Sequence, residues 1–221
     1  LAHHGVLFLD ELPEFHAQTI DALRQPIEMG EVAISRANHR TVYPARFQLV
    51  AAMNPCRCGH ATDPGYACKR QPNDRCMANY QAKLSGPLLD RFDLSIEVPA
   101  VSAADLLLPS PAEGSAETAV RVAQARDIQR RRYAELGLPT VPCNSAAPAS
   151  VIEAVAKLDS PSQTLFREAA ERMKLTARGF HRVLKLARTL ADLDASEPVQ
   201  RIHIAEALSY RAQSSRSAQA A

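Results

Sequence analysis

Two adjacent carboxylates, Asp10 and Glu11, close the apolar run Val6-Leu7-Phe8-Leu9. A run this short and this apolar is expected to be a strand buried on both faces, as in the middle of a parallel sheet. Acids at the carboxyl end of such a strand stand where open α/β sheets bind their ligands. In nucleotide hydrolases the pair divides its labour: one carboxylate holds the magnesium shell and the other polarises the attacking water. On that reading the run is a Walker B strand, with Asp10 on Mg²⁺ and Glu11 as the general base. The alternative is a buried strand followed by a helix-capping Asp.

Three further residues fit the same chemistry. Asn54 ends a second apolar run, Phe47-Gln-Leu-Val-Ala-Ala-Met53, and a carboxamide beside a carboxylate base can hold the attacking water. By itself, Asn54-Pro55 reads as a turn. Arg91 lies in Leu88-Leu89-Asp90-Arg91-Phe92-Asp93. It is either a rim ion pair with Asp90 or Asp93, or a guanidinium presented to a phosphate. Arg178 stands in the first turn of an amphipathic stretch, where the helix dipole disfavours a cation unless it faces an anion. A solvated Arg is the simpler account.

Five cysteines occur, four of them at Cys56, Cys58, Cys68 and Cys76. Such clustering suits a reduced, intracellular metal or thiol site better than a secreted disulfide framework. The four thiols could close a tetrahedral zinc site, with His60 as a substitute ligand, or remain free; the spacing is not that of a standard zinc ribbon.

The elements that must position these residues follow from pattern. Residues 19–29 space Ile20, Leu23 and Ile27 helically, with Gly30 as the stop and Pro26 as a source of a kink or an early end. Residues 31–47 alternate around the polar centre Arg36-Ala37-Asn38-His39-Arg40, which predicts a hairpin with a basic tip. A short helix is expected up to residue 84, and a third strand at 94–98 closes an α/β part spanning 1–98. Residues 99–114, with Pro99, Pro109, Pro111 and Gly114, read as a linker. Only helices are expected in 115–212: one long charged helix at 116–136, then 149–158, 161–174, 177–193 and 201–212. In the fourth of these, Phe180, Val183, Leu184, Ala187, Leu190 and Ala191 form one stripe, with Thr176 as N-cap. Arg130-Arg131-Arg132 on the long helix could touch DNA, but with Asp127 and Glu135 on the same helix it reads more simply as a solvated face. A Ser/Ala/Gln tail at 213–221 is expected to be disordered.

Lys and Arg total 26 against 24 Asp and Glu, a net charge of +2 that does not argue for nucleic acid by itself. No apolar run reaches the length of a membrane span, and no signal peptide opens the chain, so a cytoplasmic protein is expected. The chain starts at Leu1, and no Gly-x-x-x-x-Gly-Lys-Ser/Thr occurs among its 221 residues. The phosphate loop of such an ATPase precedes its acidic strand, so this is expected to be the C-terminal portion of a longer protein.

Taken in order, Gly5–Phe15, Ala52-Met53-Asn54-Pro55-Cys56, Ser85–Arg91 and the stretch from Ala177-Arg178 to Leu193 closely resemble the YifB/ComM-type magnesium-chelatase-like AAA+ ATPases. The resemblance covers nearly all of residues 1–212. It implies an ATP- and Mg²⁺-dependent homo-oligomeric ring, hexameric in form, that acts on DNA as a branch-migration helicase. It implies Asp10 and Glu11 as Walker B, Asn54 as sensor 1, Arg91 as the arginine finger and Arg178 as sensor 2. The 31–47 hairpin resembles the pre-sensor-1 hairpin of the same clade, making Arg36, His39 and Arg40 candidate DNA-phosphate contacts. The cysteines depart from the family pattern of two close pairs: Cys56-x-Cys58 is intact, Cys68 stands alone, and Cys76 follows at a distance. Two other functions remain open: a magnesium-chelatase subunit driving metal insertion, and a zinc-stabilised interaction module without turnover. Lacking a phosphate loop, the chain alone is expected to be inactive.

Overall fold

The computed structural model describes residues 1–36, 39–61, 73–101, 105–109 and 113–219. The chain divides into two compact units, Leu1–Phe92 with Ser214–Ala221, and Asp93–Gln213.

In the first unit, strand β1 (Val6–Leu9) pairs in parallel with β4 (Gln48–Ala51), Leu9 opposite Ala51. Between them lie α1 (Ala17–Ala22), α2 (Arg24–Met29) and the antiparallel hairpin β2 (Glu31–Arg36) and β3 (His39–Pro44). The single helix expected at 19–29 is broken at Leu23. Pro26 has no N–H to extend α1 and instead sits in the first turn of α2, where that donor would have no intrahelical partner. Gly30 caps α2 in the left-handed region, φ 68°, which glycine adopts without steric cost. Helices α3 (Asn73–Gln81) and α4 (Gly86–Leu89) follow. Leu12, Ile20, Leu84 and Leu88 form the buried core, with Leu9, Ile27, Ala51, Leu89 and Phe92 against it.

Two expectations fail in this unit and at its end. Strand β1 is not buried on both faces: Val6 and Phe8 are 60% and 58% exposed, while Leu7 and Leu9 are half-buried. Among the described residues β1 pairs only with β4, and the core covers only the face that carries Leu9. Residues 94–98 form no strand. Leu94, Ile96 and Val98 are exposed, and the Ser95 N–H donates to the Tyr210 carbonyl at 3.2 Å instead of to a neighbouring strand. Apolar alternation needs a ladder partner to become a strand.

The second unit is helical: α5 (Ser115–Glu135), α6 (Ala149–Ala156), α7 (Ser160–Arg172), α8 (Ala177–Leu193) and, as far as Gln213, α9 (Arg201–Gln219). Thr176 caps α8, its Oγ1 accepting from the Gly179 N–H at 3.0 Å. The stripe on α8 buries Val183, Leu184, Ala187 and Ala191 against Tyr133, Ile152, Phe166, Val199, Ile204 and Leu208. Phe180 stacks on Phe166 with ring centroids 4.3 Å apart. Helix α9 runs to Gln219, so residues 213–219, expected to be disordered, have helical backbone. Its Ala, Gln and Arg residues favour helix, and neither Gly nor Pro interrupts them.

Helix α5 does not present its three arginines as one solvated face. Arg130 pairs with Asp127, whereas Arg132 turns inward to the buried Asp192. That carboxylate gathers Arg132 Nη1 at 3.0 Å, Asn144 Nδ2 at 2.8 Å, and Arg188 Nε at 3.1 Å and Nη2 at 2.9 Å. The Tyr133 hydroxyl donates to Asn144 Oδ1 at 2.8 Å. Burial pulls the Arg188 guanidinium below its ordinary pKa, with Asp192 opposing. Burial acts the same way on the shallower Arg132, but hydrogen bonding to Asp192, the Asp192 charge and Tyr133 together outweigh it and leave that group above its ordinary value. Burial pushes the Tyr133 hydroxyl up to about 12, with the Arg132 charge opposing and the Asp192 charge adding to it.

Candidate functional site

Parallel pairing of β1 and β4 sends both chains in one direction, so the residues after each strand emerge at the same sheet edge. Asp10 and Glu11 follow β1, and Asn54 follows β4 by three residues; all three side chains are exposed. The two segments are joined beyond the strands: Ala52 N–H donates to the Leu9 carbonyl at 2.9 Å, and Leu12 N–H to the Ala52 carbonyl at 3.0 Å. Asp10 Oδ1 accepts the Glu11 backbone N–H at 2.9 Å.

Glu11 lies in the left-handed region, φ 50° and ψ 45°, and introduces a 3₁₀ turn at Leu12–Glu14. Such a conformation costs a non-glycine residue on the order of 1 kcal/mol and concentrates where a side chain must be aimed. What holds it is tertiary. Leu12 is buried among Ile20, Leu84 and Leu88, and Lys83 Nζ donates to the Pro13 carbonyl at 2.9 Å. Lys83 also reaches Glu14 at 3.6 Å. Burial raises the pKa of Tyr80 on α3, and the charges of Glu14 and Glu11 push in the same direction. Lys83 and Tyr80 lie about seventy positions from the acidic pair, and no local sequence pattern points to them.

Arg91 follows α4, and Leu88, Leu89 and Phe92 around it in the chain belong to the core. Arg91 pairs with Glu28 at 2.7 Å; of the two partners considered from sequence, Asp90 and Asp93, the second pairs with Arg182 at 2.8 Å. Arg91 Nη1 also donates to the Pro87 carbonyl. No local pattern points to Glu28, which lies on α2, 63 residues away. Arg178 is exposed in the first turn of α8, in the second unit.

In the hairpin, Arg36 and His39 form the last backbone pair of the register, and Arg40 is exposed opposite Ser35. The tip residues Ala37 and Asn38 lie outside the described residues. Three of the four clustered cysteines are brought together. The sulfurs of Cys56, Cys58 and Cys76 all lie within 4.8 Å of one another, with Cys56 Sγ 2.9 Å from Cys58 Sγ. Cys68 lies outside the described residues, and His60 is exposed in the same loop as Cys58. Burial acts to raise the Cys56 thiol, but hydrogen bonds from Cys58 and the backbone of Ala61, Cys58 and Gly59 hold it below its ordinary value.

Residues 1–106 match the family model of the magnesium chelatase subunit ChlI, and residues 112–211 match the model of its C-terminal part. The chain belongs to the magnesium-chelatase family. It is 44% identical over 213 residues to the competence protein ComM of Haemophilus influenzae, covering 96% of this chain and 40% of that protein. The same figures hold for YifB of Escherichia coli. The maternal DNA replication licensing factor mcm6 of Xenopus tropicalis is 25% identical over 215 residues, 94% of this chain and 24% of the relative. The chain thus spans about two fifths of the ComM and YifB relatives. With a small parallel sheet followed by a helical bundle, its architecture is that of a partial AAA+ domain with its lid. Among the described residues, no helix is long and apolar enough to cross a membrane.

Proposed function

We propose that this chain supplies the acidic strand, sensor and lid of an ATP-hydrolysing AAA+ ring motor that works on DNA. The observation that carries the reading is the β1–β4 register, which brings Asp10, Glu11 and Asn54 to one sheet edge. Carboxylate and carboxamide oxygens are hard donors of the kind Mg²⁺ takes, so the residues present fit the ion. Magnesium bound with ATP supplies positive charge that offsets the phosphates. Asp10 is the residue that would hold it. Glu11 accepts a proton from a water, and Asn54 orients that water by hydrogen bonding. Arg91, held by Glu28, serves a nucleotide on the neighbouring subunit, and Arg178 of the lid contacts phosphate. An arginine in the first role is worth about 10³–10⁵ in turnover. The subunits assemble as a homo-oligomeric ring, hexameric by family resemblance. The exposed face of β1, with Val6 and Phe8, suits cover by helices of a fuller AAA+ domain. DNA as the substrate is supported by the names of two relatives, a competence protein and a replication licensing factor. The basic residues Arg36, His39 and Arg40 at the hairpin end are the contacts we assign to it.

The deciding experiment is Glu11→Gln in a protein that also carries a phosphate-binding loop. We expect ATP turnover to fall at least a hundredfold while nucleotide still binds; unchanged turnover would sink the assignment. The present 221 residues contain no such loop and are proposed to hydrolyse no ATP alone, so tight ATP binding by them in calorimetry would count against the motif assignment. A second reading, an ATPase driving metal insertion into a porphyrin, is favoured by the description of the matching family. Stimulation of turnover by DNA, and not by a porphyrin system, separates the two.

A further inference from the structure

We infer that Cys56, Cys58 and Cys76 form a thiolate metal site that takes Zn²⁺ and fastens the segment after Asn54 to helix α3. Three sulfurs within 4.8 Å of one another can all reach a single ion at the usual Zn–S distance of about 2.3 Å. They converge from separate places. Cys56 and Cys58 lie in the irregular segment that leaves β4, and Cys76 lies on α3. Cys56 and Cys76 are 0% and 3% exposed.

The donor chemistry selects the ion. Thiolates favour zinc and other soft or borderline metals over Mg²⁺ and Ca²⁺, which take oxygen. Among the described residues no disulfide joins the three, so each sulfur can ligate. The 2.9 Å separation of Cys56 and Cys58 is shorter than the edge of a zinc–sulfur tetrahedron, about 3.8 Å for bonds of that length, so the pair opens on binding. Each thiol that ligates gives up its proton to solvent. Three protein ligands leave a fourth position for one more donor or a water.

The segment already leans on its surroundings through hydrogen bonds. The Gly59 N–H donates to the Cys56 carbonyl at 3.0 Å, and Gln81 Nε2 reaches the Pro55 carbonyl at 3.4 Å. A metal bridging Cys56 and Cys58 to Cys76 would cross-link the two elements beside the sheet edge that carries Asn54. The site stands on the thiol geometry alone and does not depend on the role given to Asn54.

The test is metal analysis of the chain purified without chelator, followed by cobalt exchange and thiol titration. One zinc per chain is expected, together with an intense thiolate-to-cobalt charge-transfer band in the Co²⁺ form. Zinc should slow the reaction of three thiols with Ellman's reagent at least tenfold. Cys56→Ser and Cys76→Ser should each lower zinc retention against a competing chelator at least tenfold, whereas Cys143→Ser should leave it unchanged. Substoichiometric metal, a cobalt spectrum without the thiolate band, or thiols that react equally fast with and without zinc would each overturn the proposal. If a serine variant does not fold, chelation and reloading of the unsubstituted chain decide the question by the same readouts.

Discussion

Asp192 is a buried carboxylate that accepts from Arg132, Arg188 and Asn144, and its replacement gives a quantitative test of how the helical unit is held together. Its side chain is fully buried and stands between Arg188, which is 1% exposed, and Arg132, which is 19% exposed. Asp192→Asn keeps the shape, removes the charge and turns an amide N–H₂ towards a guanidinium. Breaking a buried ion pair from one side costs about 3–5 kcal/mol, because the remaining charge is left uncompensated. Two features place the expected loss at the lower end. Arg188 keeps its hydrogen bonds to the carbonyls of Ser196, at 2.5 Å, and Glu197, and Arg132 can reach water. We therefore expect a loss of about 3 kcal/mol. In urea denaturation followed by helical circular dichroism, with m of about 2 kcal/mol per molar, the midpoint of the helical unit falls by about 1.5 M. Replacing Asp192, Arg188 and Arg132 together by apolar residues of similar volume should recover much of that loss, since no buried charge then remains. A loss below about 1 kcal/mol for Asp192→Asn, or a triple variant no better than the single one, would refute the account.

Two further outcomes follow from the same geometry. Tyr133, pushed up to about 12, should ionise well above the ordinary tyrosine range in a spectrophotometric titration, and Tyr133→Phe should remove that step. Its unfolded value is near 10, so its contribution is fully present below pH 10 and is lost as pH rises from about 10 to 12. That loss is on the order of 3 kcal/mol and is measurable as a falling urea midpoint. In a protein competent for turnover, Arg91→Ala should lower hydrolysis about a thousandfold or more, while Glu28→Gln, which keeps the guanidinium, should lower it far less. Equal losses for both would reduce Arg91 to a structural ion pair.

Much of this molecule is local and therefore legible in one dimension. The stripe on α8 with its Thr176 cap, the stop at Gly30, the end of α5 near Gly137 and the alternation around the hairpin all depend on residues within a few positions of each other. The acidic pair and Asn54 could likewise be proposed from residue type and the apolar runs before them. What only the tertiary structure decided are the long-range choices. Strand β1 pairs with β4 in a parallel register that sets Leu9 opposite Ala51, and that register brings Asp10, Glu11 and Asn54 to one edge. Arg91 finds Glu28, Arg132 turns inward to Asp192, Lys83 pins the turn after Glu11, and Cys76 joins Cys56 and Cys58. Each of these joins side chains or backbone groups 18 to 70 residues apart, where several partners of suitable charge or polarity compete. Packing of the Leu12–Leu88 core and of the Tyr133–Val183 core selects among them, because burial leaves room for only one arrangement of charges and hydrogen bonds.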